Sequence, residues 1–256
     1  IECFIHGAMC ISYSGRCLLS NYMTGRDANR GACTHPCRWK YALMEETRPG
    51  EYMPVFETER GTYIMNSKDL CMIEHIPEMI DAGIDSFKIE GRMKNALYVA
   101  TVARAYRAAI DECISDPDAY RAHIDRYESQ IRATTYRPFF TGFYYGSPSA
   151  DGQIYDTNTY ITAYTYLGII DEVDEWGRGF FIQKNKFSVG ERIEVIGPRL
   201  RTTEVTVTGI YTEDGESQES CPHAGQRLFL ETDGELFAGD IIRRFEAEHS
   251  QDAKEG

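Results

Sequence analysis

The sequence predicts an α/β part followed by an all-β part, and three observations lead there. Residues 1–7 and 84–90 are short apolar runs with strand character, and the second runs into the strongest helical periodicity of the chain. From about Tyr164 onward, short alternating runs recur with Gly, Asp and Glu turns between them, the pattern of a small antiparallel β-barrel. Between these two parts lies a loop-like segment dense in aromatic residues.

In chain order, "IECFIHG" reads as a strand ending at Gly7, and residues 8–50 read mostly as loop. "EYMPVFE" and "GTYIM" flank Thr58–Arg60 and have the makings of a hairpin. "NSKDLCMIEHIPEMIDAG" reads as helical turns capped by Asn66 and Ser67, broken near Pro77 and closed by Gly83. "IDSFKIE" is a short strand. In the helix that follows, Val99, Val102, Ala103, Tyr106 and Ile110 repeat on one face. The order strand, helix, strand, helix predicts parallel pairing, with functional groups at the strand ends His6-Gly7 and Lys88 to Arg92. Tyr136, Phe139, Phe140, Phe143, Tyr144 and Tyr145 read as a hydrophobic strap joining two domains, or beside Arg137 as base-stacking groups. "YLGIIDEV", "GFFIQ", "ERIEVIG", "EVTVTGIY", "QRLFLET" and "DIIRRF" are the six expected strands of the small barrel. The expected domains are 1–150 and 160–247, with a polar tail at 248–256.

Net charge is −13, unevenly spread: residues 149–256 carry −11 and residues 1–148 only −2. Within 14–41 the balance reverses, with Arg16, Arg26, Arg30, Arg38 and Lys40 facing only Asp27. A basic loop on an acidic chain fits an anionic ligand or a nucleic acid, and also fits charges that merely solvate a long loop. No apolar run reaches the roughly 18 residues of a membrane span. No stretch at the start reads as a secretory signal, so a cytoplasmic location is expected. The chain opens inside a strand-like run, from which a missing N-terminal part is expected.

The eight cysteines are the sharper clue. Without a secretory signal a disulfide framework is not expected. Cys3 and Cys113 read as core thiols, and Cys221 falls in a polar loop. Cys10, Cys17, Cys33 and Cys37 crowd one glycine-rich segment, at separations of seven, sixteen and four residues. The first two gaps are too wide for the paired knuckles of a zinc ribbon. An iron–sulfur cluster, a zinc ion and unligated thiols all stay open on spacing alone.

"FIHGAMCISYSGRCLLS" resembles the signature of the U32 peptidase family, the group of collagenase-like proteases. "NRGACTHPCRW", "RPGEYMPVFETERGTYIMNSKDL", "SFKIEGRMKNALYVATVARAYRAAID" and "NKFSVGERIEVIGP" are similar to its later blocks. The resemblance implies the C-terminal part of a TIM-like βα barrel followed by the family's small β-barrel domain. It implies either a peptidase or an oxygen-independent RNA hydroxylation protein acting on a tRNA wobble uridine or on rRNA. In the latter, prephenate is the oxygen source and an unidentified partner donates electrons. A non-catalytic RNA-binding accessory is a third reading. No HExxH or GxSxG motif supports a peptidase.

The resemblance also implies a [4Fe–4S] cluster on Cys10, Cys17 and Cys33. Its fourth ligand is Cys71 or Cys37, with Cys71 preferred because it reads as lying at a helix start. Lys88 and Glu90, two apart on a strand, share a face, and Arg92 follows. Arg92 and Lys88 can hold a dicarboxylate such as prephenate, and Glu90 can move a proton; a salt-bridge cluster is the other reading. His6 is a further candidate or a core histidine. RNA phosphates are expected at Arg26, Arg30, Arg38 and Lys40.

Overall fold

A computed structural model of the chain describes residues 1–10, 17–39, 42–44, 52–54, 67–146, 152, 154 and 161–246. By its internal contacts the chain divides into two compact units. The first is Ile1–Asn95 with Arg137–Tyr160, and the second is Ala96–Tyr136 with Ile161–Gly256.

The first unit is built on four strands, β1 (Glu2–Ala8), β4 (Asp69–Cys71), β5 (Ser86–Ile89) and β6 (Phe139–Phe140), in the order β5-β1-β4-β6. β1 pairs in parallel with β5, as the strand–helix–strand pattern predicts, with Glu2 opposite Ser86 and His6 opposite Ile89. β4 runs antiparallel to β1, placing Cys71 opposite His6, and β6 adds to β4 in parallel. β2 (Ala42–Met44) and β3 (Tyr52–Pro54) form a separate antiparallel pair. The expected second arm of the hairpin, "GTYIM", lies outside the described residues.

The helical turns expected from Asn66 begin later. Asp69–Cys71 is strand, and α2 spans only Ile76–Asp81. Two local facts explain this. Pro77 sits in the first turn of α2, where its missing N–H costs nothing, so it starts the helix rather than breaking it. Leu70, Met72 and Ile73 are buried, and Asp69 is held by the Arg137 N–H, which donates to its Oδ2 at 3.2 Å. Cys71 is therefore at a strand end, and the helix-start argument for its thiolate does not apply. The short helix α1 (Leu19–Thr24) ends at Gly25 in the left-handed region, and one-turn 3₁₀ segments cover Ala28–Arg30 and Pro36–Arg38.

In the second unit α3 (Ala96–Ser115), α4 (Pro117–Ala122) and α5 (Ile124–Arg132) precede the strands. Asp116 caps α4 by accepting from the N–H groups of Asp118 and Ala119, with Pro117 in the first turn. The buried stripe of α3 runs through Tyr98, Val102, Ala105, Tyr106 and Ala109. Val99 and Ala103, expected on that stripe, are exposed, Val99 by 45%. Arg104 on α3 donates to the carbonyls of Gly197 and Arg201 at 3.0 and 2.9 Å, pinning the helix to the turn between two strands.

The strands of this unit are β7 (Tyr164–Val173), β8 (Gly179–Ile182), β9 (Arg192–Ile196), β10 (Thr202–Thr212), β11 (Ser217–Gln218), β12 (Arg227–Thr232) and β13 (Ile241–Phe245). Their order is β11-β10-β12-β8-β7-β13-β9, with a further β9–β10 pairing. β7 and β10 are long enough to change partners midway. Thr202–Thr206 of β10 pair with β9 and Val207–Thr212 with β12, across a register shift between Val207 and Gly209. Alternation fills the core as expected. Ile193 and Val195, Val205 and Val207, and Leu228 and Leu230 are buried as i, i+2 pairs. Cys221, expected in a polar loop, is fully buried in this core, its thiol donating to the Phe187 carbonyl at 3.3 Å.

These pairings correct the expected fold class. The chain is a mixed α/β fold on two main sheets, not the C-terminal part of a TIM-like βα barrel followed by a small antiparallel β-barrel domain. The antiparallel β1–β4 pair overturns the first half, since such a barrel is all parallel. The six-strand barrel expectation gives way to a seven-stranded sheet with one added pairing, because β11 forms an extra edge and β7 and β10 each serve two neighbours.

Candidate functional site

A cavity of about 720 Å³ opens in the first unit at the C-terminal ends of the parallel strands β1 and β5. Its wall is assembled from three stretches: the end of β1 through Cys10, the segment from Cys17 to Cys37, and the turn after β5 at Glu90, Arg92 and Met93. Leu70 of β4 and Gly142, Phe143 and Tyr144 of the aromatic segment complete it, with the Tyr144 hydroxyl donating to the Phe4 carbonyl at 2.5 Å.

Two glycines let these stretches approach. At Gly7, with φ +121°, an added Cβ would lie 2.4 Å from the Glu90 carbonyl oxygen. The Glu90 N–H donates to the His6 carbonyl at 2.8 Å, so the parallel ladder carries on just past β5 and brings Glu90 to the cavity. At Gly31, with φ +80°, an added Cβ would lie 2.1 Å from Arg92 Nε. The guanidinium thus rests on bare backbone of the cysteine-bearing segment. The Arg92 N–H donates to Glu90 Oε1 at 3.1 Å, and the guanidinium has no carboxylate partner among the described residues.

Cys10, Cys17, Cys33 and Cys37 all line this cavity, and so does Cys3. Cys10 is exposed, Cys17 and Cys33 are half-buried and Cys37 is buried. The segment is held by local bonds: the Thr34 N–H donates to Ser20 Oγ at 3.0 Å, and the His35 N–H to Cys33 Sγ at 3.3 Å. His35 takes the left-handed conformation, φ 53°, immediately before Pro36. Cys71 is half-buried on β4 and is not part of the cavity wall. Among the described residues no three His, Cys, Asp or Glu side chains are gathered tightly enough to hold a single metal ion.

The other candidates are placed as follows. Lys88 lies on the sheet surface, paired with Glu2 at 2.9 Å and with its ammonium 5.1 Å from the Phe4 ring centre. It is not in the cavity wall. His6 is buried and lines the cavity, its ring 5.5 Å from that of Phe139. Burial first, and then the charge of Lys94, push its pKa down to about 3, so it is a neutral imidazole at physiological pH. Arg26 and Arg30 are exposed, Arg30 lying 3.7 Å from Asp27. Arg38 is the last residue of the 3₁₀ turn Pro36–Arg38, and Lys40 lies outside the described residues. Met9 and His35 in this wall were not among the sequence candidates, and Cys3, expected as a core thiol, and Tyr144, expected in the aromatic strap, line it as well. For His35 a signal was present: a histidine between two cysteines in "CTHPC".

A thiol-rich cavity at the ends of two parallel strands, with an arginine and a glutamate at its edge, defines a cysteine-centred α/β protein. The chain belongs to peptidase family U32: the family's model matches residues 1–154, and that of the U32 C-terminal domain matches residues 162–243. It is 38% identical over 245 residues to tRNA hydroxylation protein P1 of Bacillus subtilis (strain 168), covering 95% of this chain and 58% of that protein. To tRNA hydroxylation protein P of Escherichia coli (strain K12) it is 32% identical, covering 97% of this chain and 63% of that protein. A collagenase of Porphyromonas gingivalis (strain ATCC BAA-308 / W83) is 32% identical, covering 96% and 58%. The chain thus spans 58 to 63% of the length of these relatives. No helix among the described residues is long and apolar enough to cross a membrane.

Proposed function

We propose that the chain is part of an RNA hydroxylation protein acting in the cytoplasm on tRNA, with rRNA as the other candidate substrate. The observation that carries this reading is the single cavity that Cys10, Cys17, Cys33 and Cys37 share with Glu90 and Arg92. The names of the relatives P1 and P favour RNA over protein as the substrate. The donor set suits a [4Fe–4S] cluster: thiolates are its ordinary ligands, and four face one cavity rather than one point. Cys10, Cys17 and Cys33 would hold it with Cys37 as the fourth ligand, because Cys71 is outside the wall. Such a cluster would supply electron transfer, fed by a donor protein or small reductant. Arg92, with no carboxylate partner among the described residues, would offer bidentate bonds to a carboxylate of prephenate, and Glu90 in the same cavity wall would hold or release a proton. Lys88, paired with Glu2, is not in the cavity wall, and this reading does not use it.

The test is the nucleoside content of tRNA and rRNA from a strain lacking the gene, read by mass spectrometry. Loss of one nucleoside carrying an added oxygen, restored by the native gene but not by a Cys33→Ala form, is the expected result. Unchanged nucleosides together with cysteine-dependent cleavage of gelatin by the pure protein would replace this reading with a peptidase.

A further inference from the structure

We infer that Gly31 is a positioning residue for Arg92: by lacking a side chain it lets the guanidinium lie on the cysteine-bearing segment and so fixes the anion-recognising group inside the thiol cavity. The inference deepens the function proposed above, on which its choice of a dicarboxylate as ligand rests. It stands on three observations. First, a Cβ at Gly31 would fall 2.1 Å from Arg92 Nε, 2.4 Å from Cζ and 2.8 Å from Nη2, closer than any real Cβ contact. Second, Gly31 and Arg92 both line the cavity, and Cys33 lies two residues beyond Gly31. Third, the guanidinium has no acidic partner among the described residues, so packing rather than an ion pair sets where it points.

The clash involves the end of a flexible side chain. A larger residue at 31 would therefore relieve the clash by swinging the guanidinium aside, and its cost to the fold is that of the left-handed backbone, smallest for asparagine. Glycine also tolerates the positive φ, +80°, that closes the preceding 3₁₀ turn. Strain and displacement are separable, because asparagine accepts a left-handed backbone yet carries a Cβ.

The test uses the full-length protein with prephenate as probe, in the native form and as Gly31→Ala, Gly31→Asn, Arg92→Ala and Gly31→Asn/Arg92→Ala. Calorimetry reads prephenate affinity, turnover assays read KM for prephenate and kcat, and visible absorbance reads the iron–sulfur content. Both Gly31 variants are expected to weaken prephenate binding and raise its KM at least about tenfold, the worth of one charged hydrogen-bonded contact. Absorbance should be unchanged, and adding Gly31→Asn to Arg92→Ala should cost nothing further. Native affinity in Gly31→Asn overturns the inference, as does a loss that adds in full to that of Arg92→Ala. If Gly31→Ala fails to fold, Gly31→Asn decides alone. If the native protein itself does not bind prephenate, the donor assignment above fails. The Gly31 inference is then read from the rate at which phenylglyoxal modifies Arg92, and an unchanged rate in Gly31→Asn overturns it.

Discussion

At Gly7 and Gly31 the cavity depends on the absence of a side chain, and the two positions should fail differently. Gly7 faces backbone, the Glu90 carbonyl, which cannot swing away, and its φ is +121°. Gly7→Ala is expected to destabilise the protein by about 2–4 kcal/mol, measured as a lower urea midpoint. At Gly31 the nearest atoms are the flexible end of Arg92, so the clash itself is cheap and the cost of substitution is mainly that of the positive φ, about 1 kcal/mol for alanine and less for asparagine. Arg92→Ala should lower product at limiting prephenate while RNA affinity persists, because its proposed ligand is the small oxygen donor. Full hydroxylation under those conditions would remove Arg92 from the site. Cys37 and Cys71 also divide at this scale. Cys37→Ala should lose visible absorbance on anaerobic reconstitution and Cys71→Ala should keep it, since only Cys37 faces the cavity.

At the scale of elements, α3 and α5 are joined by a titratable contact. Glu112 on α3 accepts from the Tyr127 hydroxyl and lies 2.9 Å from His123 Nδ1. The Tyr127 bond first, and then that to His123, hold the Glu112 carboxyl below the usual carboxylate range. A carboxyl that is more acidic folded than unfolded stabilises the fold above the ordinary carboxylate pKa. That contribution is lost as pH falls through the lowered value. The thermal midpoint of the native protein should therefore drop more steeply than that of Glu112→Gln as pH falls below about 4.5; parallel curves would show that the contact carries no linkage. In the sheet, Leu230 on β12 is fully buried among Val207, Phe181 and their neighbours. Leu230→Ala is expected to cost about 2–5 kcal/mol, read from denaturant unfolding. Elements with strong local periodicity, such as α3 and β12, were legible in the sequence. β4 was not, because three residues cannot show a period. What makes Asp69–Cys71 a strand is the edge of β1, 61 to 65 residues earlier in the chain.

At the scale of the molecule, an acidic chain has a local excess of bases in the cysteine-bearing segment 14–41, and Arg26 and Arg30 are exposed there. If RNA meets that segment, Arg26→Ala should weaken binding uniformly across sequences and lower the salt slope by about 1. Arg30→Ala should do less, because Asp27 lies 3.7 Å away and competes for it. Filter binding at several salt concentrations measures both, and unchanged slopes would remove this segment from the RNA path. The folding of the second unit should not depend on these substitutions, as its core of Leu167, Ile170, Val195 and Leu230 is built within that unit.

The sequence by itself determined the run of strands after Tyr164, the long helix before them, the parallel pairing of the first and fifth strands and the family, through "FIHGAMCISYSGRCLLS" and its companions. Local spacing carries such information, because a period of two or 3.6 residues is written along the chain. Only the tertiary structure decided that Lys88 turns to Glu2 while Glu90 enters the cavity, that Cys221 is core, that β4 runs against β1, and that Arg92 lies on Gly31. Each of these joins residues from 34 to 86 positions apart or more than one strand, and is set by register and by the space a neighbour leaves. Neither register nor vacant space has a local signature, so a glycine that makes room for a distant arginine reads, in the sequence, like any other glycine in a loop.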